Sequence, residues 1–191
     1  MNVTVVGLGA MGGGMARAIL RSDKVAKVTG FDLSLELASG FYEEAKAAGK
    51  AAESLPEERV LKNFVSQETD VVVLVLVNEE QCDFTCFGSE EGNKLETLLR
   101  TGACVFLGST VGATWAKYAD ERFAKKDLLF VDCPISGGPV RAHEGILTLM
   151  PSGDDKALEL VDPILKACGK EGEIYTVPGG SGMGQTIKMC H

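Results

Sequence analysis

The chain contains 191 residues, of which 45% are hydrophobic, and it carries a formal net charge of −8. This length and apolar content suffice for one large domain with a buried core. The acidic balance, together with the lack of a basic run, argues against a nucleic acid or a membrane surface as a partner. No segment approaches the roughly 20 apolar residues of a membrane span, and no charged leader precedes the first apolar stretch. The sequence therefore predicts a cytoplasmic protein.

The first twenty residues predict a dinucleotide-binding turn. Residues 2–6 are rich in β-branched side chains, which is typical of a buried strand, and residues 11–20 have helical composition. Between strand and helix lie Gly7, Leu8, Gly9, Ala10, Met11 and Gly12. In this pattern the first glycine permits a tight turn, the second lets the backbone approach a pyrophosphate, and the third lets helix and strand pack closely. We expect these residues to bind a dinucleotide on the N–H groups of the helix; a turn that serves packing alone is the alternative.

Asp32 is the candidate ribose ligand. Residues 25–31 predict a second strand, and Asp32 stands at its carboxyl end. An acidic residue about 20 positions beyond the glycines accepts hydrogen bonds from a ribose 2′-hydroxyl, whereas a 2′-phosphate needs a basic residue there. Neither arginine nor lysine occurs in residues 33–36, so NAD is favoured over NADP. The alternative is that Asp32 or Ser34 only caps the next helix.

The rest of the chain alternates between predicted helices and strands. Residues 70–77 are the most apolar stretch, which suits a parallel strand buried on both faces. The alternation predicts an α/β fold with a doubly wound, mostly parallel sheet, the Rossmann fold, in a single domain. Further strands are predicted at residues 103–107, 128–132, 146–150 and 173–177, and helices at residues 35–52 and 154–167, with a short acidic helical turn after Pro56 and a final helix opened by residues 179–184.

Residues that leave the strands at their carboxyl ends are ligand candidates, because open α/β sheets bind ligands there. Val77 and Asn78 end the third strand, and we assign them to the cofactor. Ser109 and Thr110 leave the fourth strand, where their hydroxyls are placed to meet a nicotinamide or a substrate. Alternatively, Thr110 caps the helix that runs through Trp115.

A second glycine turn follows the fifth strand, in the segment Asp132-Cys-Pro-Ile-Ser-Gly-Gly-Pro139. Ser136, Gly137 and Gly138 would expose two backbone N–H groups beside a hydroxyl, an arrangement that can hold a carboxylate. The alternative is a structural turn before residues 140–143. This segment is therefore the candidate substrate site.

The cysteines point to no metal site. They stand at positions 82, 86, 104, 133, 168 and 190 without a CxxC pair, and the chain has only two histidines. This spacing matches no zinc site, and a disulfide framework is not expected in a chain with so much aliphatic core. We expect reduced, mostly buried thiols.

Four motifs in order resemble those of a known family. They are Gly7-Leu-Gly-Ala-Met-Gly12, the Ser109-Thr110 loop, residues 132–138 with 145–150, and Gly182-Met-Gly-Gln-Thr-Ile-Lys188. Together they resemble the β-hydroxyacid dehydrogenases, which include 3-hydroxyisobutyrate and L-threonate dehydrogenases, with 6-phosphogluconate dehydrogenase more distant. The resemblance covers essentially the whole chain. It implies hydride transfer between NAD and a small hydroxy acid.

The resemblance also implies roles for individual residues. Ser136, Gly137 and Gly138 would hold the substrate carboxylate, and Lys188 would be the general acid/base at the hydroxyl being oxidised. Removing a hydride leaves a developing carbonyl, so a proton must leave the oxygen, and a positioned amine can take it. Without the resemblance, a lysine on an amphipathic helix would be read as a solvated surface charge.

The chain departs from the family pattern at its end. Family members often carry asparagines three and four positions after the lysine; here His191 takes the first place and the sequence stops before the second. His191 is thus a candidate substrate contact, and with residues 77–81 it looks more like the L-threonate branch. Members continue into an all-helical domain that forms a homodimer or homotetramer. We therefore expect a cofactor domain at residues 1–178 and the start of an interdomain helix at 179–191.

Two other function classes remain open from the sequence. One is a non-catalytic dinucleotide-binding module, which the absence of a helical domain favours and the presence of Ser136 and Lys188 opposes. The other is a chromatin-type reader with the same fold, which the acidic charge of −8 disfavours.

Overall fold

The computed structural model of the chain describes residues 1–51, 54–58, 60–88 and 94–190. Helices and strands alternate along most of this length, as expected. In chain order the elements are β1 (Asn2–Val6), α1 (Ala10–Leu20), β2 (Lys27–Phe31), α2 (Leu35–Ala47), a 3₁₀ turn (Leu61–Asn63), β3 (Val71–Leu74), α3 (Glu79–Phe87), α4 (Leu95–Leu98), β4 (Cys104–Leu107), α5 (Ala113–Ala124), β5 (Leu129–Asp132), β6 (Ile135–Ser136), α6 (Gly138–Glu144), β7 (Leu147–Leu149), β8 (Ser152–Gly153), α7 (Asp155–Cys168), β9 (Gly169–Ile174) and α8 (Met183–Cys190).

The main sheet has the strand order β2-β1-β3-β4-β5-β8. The first five strands are parallel, and only β8 runs antiparallel, against β5. The register aligns the carboxyl ends, and this row contains Phe31, Val6, Leu74, Leu107 and Asp132. The loops that leave this edge after β1, β2 and β3 line one crevice. The predicted doubly wound, mostly parallel sheet is confirmed.

Helices cover both faces of the sheet because its central strands are apolar on both sides. Val71 and Val73 of β3 belong to the core beneath α1, α2 and α7, whereas Val72 and Leu74 belong to the core beneath α3, α4 and α5. Strand β4 alternates in the same way. All eight residues of β3 and β4 are buried, as a parallel strand between two helical layers requires.

The third strand is shorter than predicted, ending at Leu74 rather than at residue 77. Beyond Val75, side chains take the place of a neighbouring strand as partners of the backbone. The N–H of Leu76 donates to Ser109 Oγ at 2.7 Å, and the N–H of Val77 donates to Gln81 Oε1 at 3.1 Å. Residues 75–77 therefore form a loop that opens onto the crevice.

The last predicted strand was also misplaced. Residues 173–177 were expected to form it, but β9 runs from Gly169 to Ile174 in a second small sheet of order β6-β7-β9. Its polar residues 170–172 lie exposed at the edge of that sheet, so they lack the apolar pattern that identifies a strand. The final helix likewise begins at Met183, after a glycine-rich loop, and α2 ends at Ala47 rather than at residue 52, which lies outside the described residues.

None of the helices in the described part of the chain is long and apolar enough to cross a membrane. The six cysteines are unpaired, and all but Cys190 are buried. Burial raises the pKa of the Cys82 thiol to about 11 and that of Cys168 to about 12. Because the thiolate is the reactive form, these buried thiols act as core side chains rather than as nucleophiles.

Candidate active site

Two of the three glycines in the first turn are required by close backbone contacts. Gly7 has φ +91°, and a Cβ there would lie 2.2 Å from Val75 O. A Cβ on Gly12 would lie 1.9 Å from Gly7 O. Neither position accommodates a side chain, so these two glycines bring α1 against the carboxyl ends of β1 and β3.

Gly9 is different, because a Cβ there would meet nothing within 4 Å. It has φ −60° and ψ −170°, which any residue can adopt, and it precedes α1 without a side-chain cap. Gly9 and Ala10 are exposed, whereas Leu8 is buried and Met11 half-buried. The first turn of α1 contains no acidic residue, so its N–H groups and positive dipole end are available to an anion. This geometry fits a pyrophosphate.

A cleft of about 580 Å³ adjoins this turn, at the carboxyl ends of β1, β2 and β3. Three large apolar side chains at its walls are unusually exposed: Leu33 by 80%, Val77 by 86% and Phe84 by 56%. Exposed apolar walls around a concave site are typical of a place where a flat ring binds. Asp32, Glu80, Gln81 and Thr85 contribute polar groups to the lining.

Asp32 lies where a ribose ligand was predicted, and it also has structural partners. Its Oδ2 accepts a hydrogen bond from the N–H of Leu8 at 2.8 Å, and its Oδ1 accepts one from the N–H of Ser34 at 2.8 Å. Ser34 Oγ in turn caps α2, so the cap of this helix is provided by Ser34 and not by Asp32. A carboxylate has about four acceptor positions, which leaves capacity for ribose hydroxyls.

Val77 and Asn78 differ in what their side chains do. Val77 lines the cleft; its contact with a cofactor stays a prediction. The side-chain oxygen of Asn78 instead accepts from the N–H of Gln81 at 2.9 Å and thereby caps α3. Asn78 is exposed at this edge, but its carboxamide oxygen already serves the helix.

The loop after β4 separates Ser109 from Thr110. Ser109 is 3% exposed, and its hydroxyl contacts the backbone of Leu74 and Leu76, so it holds two loops together rather than meeting a ligand. Thr110 is exposed in the loop that leaves β4. The alternative reading of Thr110 as a helix cap is wrong, because α5 is preceded by Gly112, whose N–H donates to Glu79 Oε2 at 2.8 Å. Thr110 therefore remains free of a capping role.

The second glycine turn lies at the end of β6. Ser136 and Gly138 are half-buried and Gly137 is exposed. Gly137 has φ +135° and Gly138 φ +78°, conformations that side chains rarely adopt. The two glycines turn the chain directly into α6, which agrees with a backbone site for a carboxylate but also with a structural turn.

A cluster of ion pairs lies beside this turn. Arg141 packs beside Gly137, donates to Ile146 O at 2.9 Å and pairs with Glu173 at 2.6 Å. Lys170 Nζ and Thr148 Oγ1 also donate to the Glu173 carboxylate, each at 2.6 Å. Donation from Lys170, Thr148 and Arg141 lowers the pKa of Glu173 to about 2.

The contribution of Glu173 to the stability of the fold should therefore be lost at acid pH. A carboxylate with a lowered pKa stabilises the fold above its ordinary pKa of 4.5, and this contribution is lost as the pH falls toward 2. We expect Glu173→Gln to melt at a lower temperature than the parent at pH 6, with the difference shrinking as the pH approaches 2. Glu171→Gln is the matched control at an exposed neighbour. A difference that is constant with pH would contradict the assignment.

Lys188 lies half-buried on α8, one turn after the buried residues Gly184 and Gln185. Residues at this spacing share a helix face, so Lys188 lies on the side of α8 that packs on the domain. A Cβ on Gly184 would lie 2.9 Å from Pro134 and 2.5 Å from Met150 O. The helix thus approaches the segment that leads into Ser136.

Lys188 makes no hydrogen bond or ion pair with any residue that the structure describes. His191 lies outside the described residues.

The structure also shows functional-site neighbours that the sequence analysis missed. Asp132 and Gln185 are fully buried and bonded to each other, with 2.7 Å between Asp132 Oδ1 and Gln185 Nε2. Burial raises the pKa of the Asp132 carboxyl, and hydrogen bonds from Gln185, Ser152 and the Gly182 N–H act in the opposite direction. An acidic residue at the end of a buried strand was the available signal, but its partner, about 50 positions away, was not visible in the sequence.

The comparisons with known proteins agree with this architecture. Residues 2–179 match the family described as the NAD binding domain of 6-phosphogluconate dehydrogenase. The chain is 32% identical over 189 residues to L-threonate dehydrogenase of Pectobacterium atrosepticum, covering 99% of this chain and 57% of that protein. It is 30% identical over 189 residues to the NAD-dependent L-serine dehydrogenase of Pseudomonas aeruginosa, covering 99% and 57%.

Among solved structures, the crystal structure of 3-hydroxyisobutyrate dehydrogenase from Salmonella typhimurium superposes with a TM-score of 0.84 and 28% sequence identity. That match covers 100% of this chain and 61% of the crystallised chain. The chain therefore spans a little under two thirds of the length of such relatives. From the family match and the shared fold, we conclude that the chain belongs to the β-hydroxyacid dehydrogenase family, of which it represents the NAD(P)-binding domain.

Proposed function

We propose that this chain binds NAD and serves as the cofactor domain of a dehydrogenase that oxidises a small hydroxy acid. The observation that carries the proposal is the juxtaposition of the open α1 N-terminus at Gly9 with the apolar cleft beside Asp32. A dinucleotide requires both an anion site for its pyrophosphate and a crevice for its adenosine half. The six unpaired cysteines fit a reducing compartment such as the cytoplasm.

The preference for NAD rests on charge at the ribose position. Asp32 presents a carboxylate to the cleft, and Glu80 adds a second acidic side chain to its lining. A 2′-phosphate would meet two negative charges there, whereas a 2′-hydroxyl would donate to Asp32. These charges support NAD over NADP.

Asp32→Asn should weaken NAD binding about tenfold to one hundredfold, because a charge-assisted hydrogen bond to the ribose is lost. It should weaken NADP binding less, so discrimination falls. Asparagine keeps one acceptor for the N–H of Leu8 or Ser34, which limits the structural damage. Titration calorimetry of parent and variant with both cofactors measures the two effects. If the ratio of the Kd values for NAD and NADP is unchanged, Asp32 does not bind the ribose.

The chemistry assigned to the remaining site residues follows from the reaction. A bound nicotinamide would supply the acceptor for the hydride from the substrate carbon. The hydroxyl must also lose its proton for a carbonyl to form, and the Lys188 amine is the group that we propose takes it. Ser136, Gly137 and Gly138 are proposed to hold the substrate carboxylate, with Thr110 at the nicotinamide side and His191 as a further substrate contact. Thr110 follows β4 of the main sheet, Ser136 to Gly138 join β6 of the second sheet to α6, and Lys188 lies on α8.

The proposed substrate is L-threonate or a related sugar acid, since proteins named L-threonate dehydrogenase are 32% identical to the chain. The test is the appearance of NADH absorbance when the full product of the gene is mixed with NAD and either L-threonate, L-serine or 3-hydroxyisobutyrate. We expect the largest kcat/KM for L-threonate. NAD binding without turnover of any hydroxy acid would instead support a non-catalytic dinucleotide-binding module.

A further inference from the structure

The first turn of α8 is held by side chains of the sheet rather than by its own backbone. The first N–H groups of a helix have no partner within the helix. Here Asp132 Oδ2 accepts from the N–H of Gly182 and from the N–H of Gln185, each at 3.1 Å. Ser152 Oγ accepts from the N–H of Gly184 at 3.0 Å and donates to Asp132 Oδ2 at 3.2 Å. A buried carboxylate and a buried hydroxyl thus cap the helix.

Gln185 extends the same network to a second strand. Its Nε2 donates to Asp132 Oδ1 at 2.7 Å and to Ser109 O at 3.0 Å, and its Oε1 accepts from the N–H of Val111 at 3.2 Å. Asp132 ends β5, and Ser109 to Val111 form the loop that leaves β4. Gln185 therefore bridges the carboxyl ends of both strands, and it lies three residues before Lys188.

We propose that Asp132 and Gln185 are positioning residues that place Lys188 at the active site by fixing the start of α8 on the ends of β4 and β5. Asp132 and Gln185 are both 0% exposed, so their hydrogen bonds are made in a low-dielectric interior and are costly to leave unpaired. No other residue of α8 is bonded to the sheet by its side chain among the described residues. The role assigned to Lys188 itself rests on the proposed function.

Asp132→Asn is the direct test, because all the polar hydrogens around this carboxylate point toward it. Turned toward the N–H groups of Gly182 and Gln185, the amide NH₂ opens the cap. Turned toward the Gln185 side chain, it breaks that hydrogen bond and leaves the cap a neutral acceptor, which is weaker than the carboxylate. We expect the N–H groups of Gly182 and Gln185 to exchange with deuterium about tenfold to one hundredfold faster in the variant. The matched control is Asp154→Asn, since Asp154 caps α7 through the N–H of Ala157 at 2.6 Å and should affect exchange there instead.

A double variant that restores the hydrogen bond between positions 132 and 185 distinguishes loss of this specific contact from a general loss of structure. Gln185→Glu places a carboxylate against Asp132 and should also open the cap. In the double variant, the asparagine NH₂ donates to the new glutamate, so protection should partly return. Ser152→Ala is a milder variant, useful if Asp132→Asn does not fold, and it should speed exchange mainly at Gly184. The positioning role is refuted if the effects of the two single substitutions on the exchange rate simply add in the double variant. It is also refuted if neither single substitution changes the exchange rate.

The effect on Lys188 is measured without relying on catalysis. In the 191-residue chain, the rate at which an acetylating reagent modifies Lys188 is compared with that of exposed Lys156 by mass spectrometry. We expect the ratio of the two acetylation rates to rise severalfold in Asp132→Asn and to return toward the parent value in the double variant. If exchange shows that the cap has opened but the ratio does not change, the positioning role is contradicted. In the full gene product, kcat should follow the same pattern while the KM for NAD stays constant. Failure of the proposed function would show separately, as a parent protein that reduces no NAD.

Discussion

Replacing Lys188 by methionine is expected to lower kcat of the full gene product about one hundredfold to ten-thousandfold, the contribution typical of a positioned general acid/base. Methionine keeps the length and apolar stem of the side chain, so only the proton acceptor is removed. Lys188 has no bonding partner in the described part of the chain, and its loss should leave the fold intact. NAD affinity should change little, because the lysine acts on the substrate hydroxyl. Stopped-flow or steady-state NADH absorbance measures kcat.

The control for Lys188 is Lys156→Met, which removes an exposed amine on α7. It should leave turnover unchanged. If Lys188→Met and Lys156→Met have equal activity, Lys188 takes no part in proton transfer. If Lys188→Met loses NAD affinity as well, the lysine binds the cofactor and its assignment must change.

Gly9→Asp should reduce NAD affinity about one hundredfold or more, because its carboxylate would repel the pyrophosphate. The fold should be at least as stable as that of the parent, because the same carboxylate can cap α1. A Cβ at Gly9 meets nothing within 4 Å, and the backbone there suits an aspartate. The carboxylate would cap α1, a gain over glycine of roughly a few tenths of a kcal/mol in helix stability. It would also occupy the anion site with a negative charge.

Gly40→Asp is the control for Gly9→Asp. Gly40 is an exposed residue of α2 with equally free space around its Cβ, so the variant adds the same charge away from the cleft. Its NAD affinity should equal that of the parent. Thermal melting and calorimetric titration of both variants provide the comparison. Undiminished NAD binding by Gly9→Asp would show that the glycine turn holds no pyrophosphate.

The fold was predictable because its strongest signals are local. The valine run of β3 and the glycines between β1 and α1 each identify an element from a few adjacent residues, and the register of parallel strands then places their ends together. The misplaced β9 shows the limit. Its residues 170–172 are polar and exposed, so only their pairing with β7, which is a tertiary contact, makes a strand of them.

The site was predictable only in part, for a related reason. The placement of Asp32 and Gly9 beside the cleft could be predicted because it depends on position relative to one strand and one helix. The hydrogen bonds of Asp132 to Gln185 and of Ser109 to Leu76 connect residues 53 and 33 positions apart. No local sequence pattern predicts such contacts, because the same residue types at those positions would also suit an exposed turn. Their role appears only when the sheet brings β3, β4 and β5 to one edge.

The most direct test of the account is calorimetric titration of the 191-residue chain with NAD and, separately, with NADP. We predict saturable binding of one NAD per chain, with a Kd at least about tenfold lower than that for NADP because of the Asp32 carboxylate. This result would establish the cleft beside Gly9 as a dinucleotide site. A chain that is folded by circular dichroism and binds neither cofactor, or that prefers NADP, would contradict the account.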